Sequence, residues 1–203
     1  VVHDPATAAA EIQNALDLVH SGLPRPVSIE VPVDVWAKPA PGSITTPNAT
    51  MPSPDPALIE KAAAIIASAE RPLFVIGSGA YDAGESVAEL AELVQAAVTT
   101  RRMGHGVLPT QHPLMVPITS AHDLWPTADV VVGIGSRIEW PLGSWGYDDD
   151  LTLIQINVDE TELDRHGITD VGIHSDADLA CRALIDAIGP LNRPSRIPEL
   201  NAL

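Results

Sequence analysis

Short, uninterrupted apolar runs recur from residue 57 onward and alternate with segments of helical periodicity. The runs have the length of strands that are buried on both faces, and they lie at Leu73–Ile76, Ala97–Thr100, 129–134 and 151–158. Apolar residues at spacings of three and four, typical of one helix face, occur in 57–69, 85–94 and 176–188. Strands that alternate with helices in this way predict an α/β fold with a doubly wound parallel sheet.

The residues before 57 do not continue this alternation. Residues 4–20 have a helical repeat, and residues 26–35 alternate apolar and polar residues with the period of a strand. A stretch rich in Pro, Ser and Thr follows without an apolar repeat, which indicates a linker. The expected organisation is therefore a separate helix and strand at 1–37, a linker at 38–56, a domain at 57–189 and a loose Pro-rich tail at 190–203.

Charge and cysteine content exclude several classes of partner. A net charge of −16 opposes binding to nucleic acid and to anionic membrane surfaces. No apolar run approaches the roughly 20 residues that span a bilayer. Cys181 is the single cysteine, so we expect no internal disulfide, a small core residue at this position, and a reducing, cytoplasmic setting.

Closely spaced glycines follow two of the predicted strands. Gly77, Ser78 and Gly79 come after the first strand, and Gly135, Ser136 and Arg137 end the run at 129–134. Ligands of doubly wound sheets bind at the carboxyl ends of the strands, where glycines let the backbone approach an anion. Glycines also serve tight connections alone, and Asp82 stands where the dinucleotide fingerprint has its third glycine. Both readings of these turns stay open.

Arg101 and Arg102 follow the strand Ala97–Thr100 and therefore lie at the same edge. Two arginines there complement phosphate groups. No acidic residue ends this strand to bind ribose hydroxyls, and arginine suits a 2′-phosphate. One alternative for the chain is thus a free-standing nucleotide-binding module that prefers NADP; another is a scaffold that binds nothing.

Other polar and aromatic residues carry weaker signals. His105 and His112 flank a loop, but no spacing of His, Cys, Asp and Glu predicts a metal site. No local Ser-His-Asp or Cys-His arrangement predicts a nucleophile. Trp140 and Trp145 either cover a ligand or pack against a neighbouring domain, and the second reading is favoured slightly.

Several segments match one family in order and spacing. They include RPLFVIGSGA, ADVVVGIGSR and LIQINVDETEL, and the most specific is the T-x-x-M-G-x-G-x-x-P-x-x-H-P pattern at residues 100–113. Over residues 57–188 the chain resembles the central domain of thiamine-diphosphate-dependent enzymes of the acetolactate synthase and benzoylformate decarboxylase group. The resemblance implies a Rossmann-like parallel sheet of about six strands with helices on both faces.

The resemblance also gives the flanking segments a meaning. Residues 1–37 resemble the end of the pyrimidine-binding domain that precedes the central domain in this family, and 38–56 the crossover between the two. The chain has neither an initiator Met nor the family's Gly-Asp-Gly motif for Mg²⁺ and diphosphate. We therefore expect a non-catalytic piece of a homo-oligomeric lyase or transferase that acts on 2-oxo acids. Thiamine diphosphate and Mg²⁺ would be bound by other domains, and these flanking domains would be its partners.

Some family members bind FAD or an adenine nucleotide such as ADP in this domain. Carried over by position, the cofactor-binding candidates are Gly77, Ser78, Gly79, Arg102, Met103, Gly104, Gly135, Ser136, Arg137 and Asp159. After Arg137, the sequence IEWPL replaces the polar run of the FAD-binding members. The resemblance thus favours an empty site over an FAD site. It implies no catalytic residue and no metal ligand within this chain.

Overall fold

The computed structural model describes residues 1–47, 50–147 and 150–203; residues 48 and 49 of the predicted linker lie outside this part. The described chain divides into two compact units, Val1–Met51 and Pro52–Leu203. The expectation that residues 1–37 derive from a pyrimidine-binding domain stays a prediction.

The unit Pro52–Leu203 contains a five-stranded parallel sheet in the order β2-β1-β3-β4-β5. Its strands are β1 (Leu73–Ile76), β2 (Ala97–Thr100), β3 (Val130–Ile134), β4 (Thr152–Asn157) and β5 (Val171–His174). This confirms the doubly wound α/β fold, with five strands where about six were expected. The place of a sixth strand is marked by a single parallel bridge between Val98 and Met115 beside β2.

Helices cover both faces of this sheet. They are α3 (Pro56–Ser68), α4 (Gly84–Val94), α5 (Ile118–Leu124), α6 (Glu139–Trp145), α7 (Ala177–Ile188) and α8 (Ile197–Leu200). Helix α7 packs against α3 and α4 on one face, and right-handed crossovers place α5 and α6 on the other. The core between these layers is almost wholly aliphatic, with Phe74 at its centre.

The segment 190–203 is not the loose tail that was expected. Arg193 and Arg196 donate to backbone carbonyls near the ends of α3 and α4, including Ala67 and Pro72. Leu200 of α8 is buried against the core. Side chains therefore hold this segment against the domain although its own composition is typical of a loop.

The unit Val1–Met51 contains α1 (Ala8–His20) and the short helix α2 (Val33–Trp36). Asp4 caps the 3₁₀ turn before α1 by accepting from the Ala6 amide. The strand predicted at 26–35 is wrong: residues 24–32 have no regular structure and α2 occupies its end. A strand needs a partner strand, and among the described residues of this unit a single backbone bond joins 26–35 to a distant segment, from the Val2 amide to the Glu30 carbonyl.

None of the helices in the described part of the chain combines the length and the apolar character needed to cross a bilayer.

Candidate functional site

The strand order reverses between β1 and β3, which makes the carboxyl ends of these strands the expected ligand site of the sheet. Each of these strands leads into a glycine-containing loop, and β2 leads into the 3₁₀ turn Arg102–Gly104. The structure thus brings three of the predicted segments together at one edge.

The glycines of these loops touch one another. The Gly77 amide donates to the Ile134 carbonyl over 3.0 Å, and the Gly79 amide donates to the Gly135 carbonyl over 3.1 Å. A Cβ on Gly77 would lie 2.2 Å from the Gly135 carbonyl oxygen, and Gly135 itself has a φ of +57°. Close backbone packing of two loops therefore explains these glycines, and two of their amides are not free to bind an anion.

Gly104 lets the turn after β2 pack closely against the end of β1. A Cβ there would lie 2.4 Å from the Ile76 carbonyl oxygen at the end of β1. Its neighbours Arg102 and Met103 are exposed, as is Ser78 in the first loop. Arg102 adopts a left-handed φ of +43°, a strained conformation that persists only where its surroundings impose it.

Arg101 contacts an aromatic ring rather than an acidic side chain. Its guanidinium carbon lies 4.0 Å from the ring centroid of Trp140, within the range of a cation–π interaction. Trp140 also packs edge-on against Trp145, with ring centroids 5.2 Å apart. Sequence reasoning considered these tryptophans and this arginine separately and missed their contact.

Arg137 is paired within the domain. It lies 3.0 Å from Glu162, which is buried and also 3.0 Å from Arg165; Arg165 in turn approaches Glu139 at 3.6 Å. A buried carboxylate with two arginines is neutralised by them. Glu162 was not among the predicted residues, although its position just after β4 places it at this edge.

The remaining candidates have local structural roles. The Ser136 hydroxyl accepts from the Ile138 amide over 3.3 Å. The Asp159 carboxylate accepts from the amide and the hydroxyl of Thr161, at 3.0 and 2.6 Å, and caps the turn Glu160–Glu162. It lies beyond β4, one strand away from the meeting point of the glycine loops.

Ile138 fills the space beside β3. It is buried, and a Cβ on Gly133 would lie 2.1 Å from its Cδ1. Its φ is +55°, a conformation that β-branched residues rarely adopt. The side chain that follows Arg137 thus packs into the domain's own core, whereas Glu139 and Trp140 are exposed.

Groups suited to metal or thiol chemistry do not form a site. No cluster of His, Cys, Asp or Glu within residues 1–47, 50–147 and 150–203 could hold a metal ion. Burial raises the pKa of the Cys181 thiol to about 12, with a smaller contribution from the Asp178 carboxylate. A thiol that stays protonated is unreactive, which agrees with the core role predicted for it.

Comparison with known proteins identifies the family. The family model described as "Thiamine pyrophosphate enzyme, central domain" matches residues 59–184, which is more than half of the chain. The chain belongs to this family. The resemblance inferred from the motifs is thereby confirmed, thiamine pyrophosphate being another name for thiamine diphosphate.

Relatives of this central domain include metabolic enzymes of greater length. Glyoxylate carboligase of Escherichia coli O157:H7 is 30% identical over 97% of the chain and 36% of its own length. Acetolactate synthase of Arthrospira platensis is 30% identical over 87% of the chain and 34% of its own length. The chain therefore spans about a third of the length of the curated relatives it matches.

A solved structure shares the fold. Benzoylformate decarboxylase from Polynucleobacter necessarius superposes with a TM-score of 0.78 at 20% identity and covers 97% of this chain, which covers 39% of that protein. At this identity the likeness concerns the fold alone.

Proposed function

We propose that this central domain is a non-catalytic, structural and assembly domain of a thiamine-diphosphate-dependent lyase or transferase that acts on 2-oxo acids. One observation supports the structural role: several of the groups at the ligand edge are engaged within the domain. The Gly77 and Gly79 amides bond to the β3 loop, and Arg137 pairs with Glu162. Flanking domains of the parent enzyme and further copies of the chain are its proposed partners.

Thiamine diphosphate and Mg²⁺ do not fit the residues of this domain. A diphosphate–Mg²⁺ site needs carboxylate or amide oxygens around the cation. The described residues contain no cluster of His, Cys, Asp or Glu side chains that could hold a metal ion. We therefore assign both to other domains of the parent enzyme. The relatives' greater length supports this assignment, and a single, buried thiol suits a cytoplasmic enzyme.

An adenine-nucleotide site for FAD or ADP is the second candidate. It is favoured by the exposure of Ser78 and Arg102 beside the point where the glycine loops meet. Against it stand the bonded glycine amides and the pairing of Arg137, so the structural role is preferred.

Thermal unfolding with excess FAD, ADP, NADP or thiamine diphosphate separates these proposals. A ligand at about 100 times its Kd adds roughly 2.7 kcal/mol to the free energy of unfolding, and we expect no shift with any of the four. A shift with FAD or ADP that Arg102→Ala abolishes would replace the structural role by a nucleotide site. A shift with NADP alone would instead support the nucleotide-binding module.

Activity is tested on the same chain. With thiamine diphosphate, Mg²⁺ and pyruvate as the 2-oxo acid, we expect no release of carbon dioxide above that of the buffer. Turnover that depends on both the cofactor and the chain would contradict the non-catalytic role.

A further inference from the structure

The carboxyl edge carries an exposed patch that the proposed function does not use. It consists of the exposed residues Tyr81, Arg102, Met103 and Trp140 and the half-buried Arg101, and we call it the arginine–aromatic patch. Tyr81 is 50% exposed, Met103 64% and Trp140 38%. The turns Ser78–Ala83 and Arg102–Gly104 contact one another, and Arg101 lies on Trp140, so the patch is continuous.

The composition of this patch is that of a protein interface. Tyr, Trp, Met and Arg are the residues enriched at interfaces, and Tyr, Trp and Arg dominate their binding energy. Within the described residues, no carboxylate forms an ion pair with the guanidinium of Arg101 or Arg102. Of the carboxylates adjacent in sequence, Glu139 approaches Arg165 at 3.6 Å and Asp82 is exposed beside Tyr81. On a chain of net charge −16, the two guanidinium groups still leave the patch with an excess of positive charge, which favours an acidic partner.

An acidic surface adjoins the patch on the same domain. Helix α4 starts directly after the turn that carries Tyr81, and its exposed residues Glu85, Glu89 and Glu92 recur at the spacing of one helix face. We call this the α4 acidic face. His112 contacts Glu92 at 3.2 Å, and Arg182 lies near Glu85 and Glu89. One permanent cation beside three carboxylates leaves this face negative.

We propose that the arginine–aromatic patch of one copy docks onto the α4 acidic face of a second copy. Because the two surfaces are neighbours, a two-fold axis between them pairs each with its complement twice in one closed dimer. This inference rests on the assembly role proposed above and names the surface that performs it. The cation–π contact holds Arg101 in place before binding, which lowers the entropy lost on docking.

Sedimentation velocity of the whole chain at low and high ionic strength tests the dimer. We expect a dimer at low salt that dissociates as salt is raised, because exposed charges are screened beyond a Debye length of about 10 Å at 0.1 M salt. A monomer at every concentration and salt would overturn the proposal.

A charge exchange tests which surfaces meet. Arg102→Glu and Glu89→Arg each place like charges across both contacts, and we expect each to raise the dimer Kd by about tenfold or more. An equimolar mixture of the two variants has opposite charges at both contacts and is expected to form a one-to-one heterodimer. Lys61→Glu makes the same change in net charge as Arg102→Glu outside both surfaces and should leave the Kd unchanged.

The variants fold if their circular dichroism and thermal unfolding match those of the original chain. A dimer that Arg102→Glu does not weaken, or a mixture that does not associate, would overturn this pairing. A monomer that also shows no turnover with thiamine diphosphate would overturn the dimer and leave the structural role standing. Turnover would contradict the structural role whatever the state of association.

Discussion

Arg193 makes the contact whose removal has the most predictable effect. Its half-buried guanidinium donates to the carbonyls of Ala67 and Ala69 at the end of α3, with longer contacts to Ile66 at 3.4 Å and Val94 at 3.5 Å. These carbonyls lie at the ends of α3 and α4, where the helix dipoles are negative. The side chain of Arg193 thus caps the carboxyl ends of two helices.

We expect Arg193→Ala to destabilise the domain by about 2–4 kcal/mol. A hydrogen bond from a charged donor contributes roughly 1.5–3 kcal/mol, and a cation at a helix end about 0.3–2 kcal/mol; partial exposure keeps the sum near the lower values. For a chain of this size each kcal/mol lowers Tm by about 2–4 °C, so Tm should fall by about 4–16 °C.

Urea unfolding followed by circular dichroism measures this change. Arg193→Lys keeps the charge but not the planar set of donors, and it should recover only part of the loss. Lys61→Ala is the matched control, because Lys61 is exposed and donates to a single carbonyl, that of Asp170, at 3.0 Å; it should change stability by less than about 0.5 kcal/mol. If Arg193→Ala is as mild as this control, the tail does not clamp the helices.

Three further changes have definite expected results. Gly135→Ala places a Cβ 2.4 Å from the Gly79 carbonyl carbon at a φ of +57° and should cost more than about 2 kcal/mol, whereas Gly143→Ala meets open space on α6 and should be neutral or stabilising in urea unfolding. Deletion of residues 1–51 should leave Pro52–Leu203 folded with a cooperative thermal unfolding transition, because that unit holds the five-stranded sheet; an unfolded product would show that the units are not independent. Folding raises the pKa of the Cys181 thiol from 9.0 to about 12, so the thiol of the unfolded chain loses its proton first as pH rises. The free energy of unfolding should therefore decline between pH 9 and 12, by at most about 1.4 kcal/mol per pH unit. A Cys181→Ala control should lack this decline.

The sequence predicted the sheet well because buried parallel strands have a local signal. β1 and β2 were predicted with the bounds that the structure shows, and β3 and β4 within a residue at each end. β5 was missed: it is four residues long and contains Gly172, so its apolar run is broken. α6 was missed because Pro141 and Gly143 interrupt its pattern. The contact of Trp145 with Trp125, which lies outside the helix, stabilises it.

Errors arose where distant residues decide the structure. The alternation at 26–35 is compatible with a strand, but pairing requires a partner that the local sequence cannot supply. The proline content of the segment 190–203 predicted a loose tail, yet Arg193 of this segment donates to carbonyls up to 127 residues away. Neither partner can be found from the segment's own composition.

The candidate site shows the same division. The motifs placed Gly77, Gly135 and Arg137 at one edge, and the structure agrees on their location. Their roles depend on distances between loops. Gly77 and Gly135 allow their two loops to approach closely, and Arg137 forms an ion pair with Glu162, 25 residues further on. A glycine-rich turn after a strand therefore predicts a close approach, but not whether the approaching group is a ligand or another loop.

The segment after Arg137 connects these observations. Each of its residues Ile138, Glu139 and Trp140 has a contact within the domain: Ile138 lies over Gly133, Glu139 approaches Arg165, and Trp140 lies beneath Arg101. The left-handed φ of Ile138 costs on the order of 1–3 kcal/mol, which its burial offsets by about 1.5–3 kcal/mol. These contacts hold the segment within the domain, while Arg102 stays exposed. Ile138→Asn tolerates this φ and would relieve the strain, but it would lose the apolar burial and bury a polar amide, which costs about 1–3 kcal/mol more when it has no partner. We therefore expect a net loss of stability in urea unfolding, and a stabilised variant would contradict this reasoning.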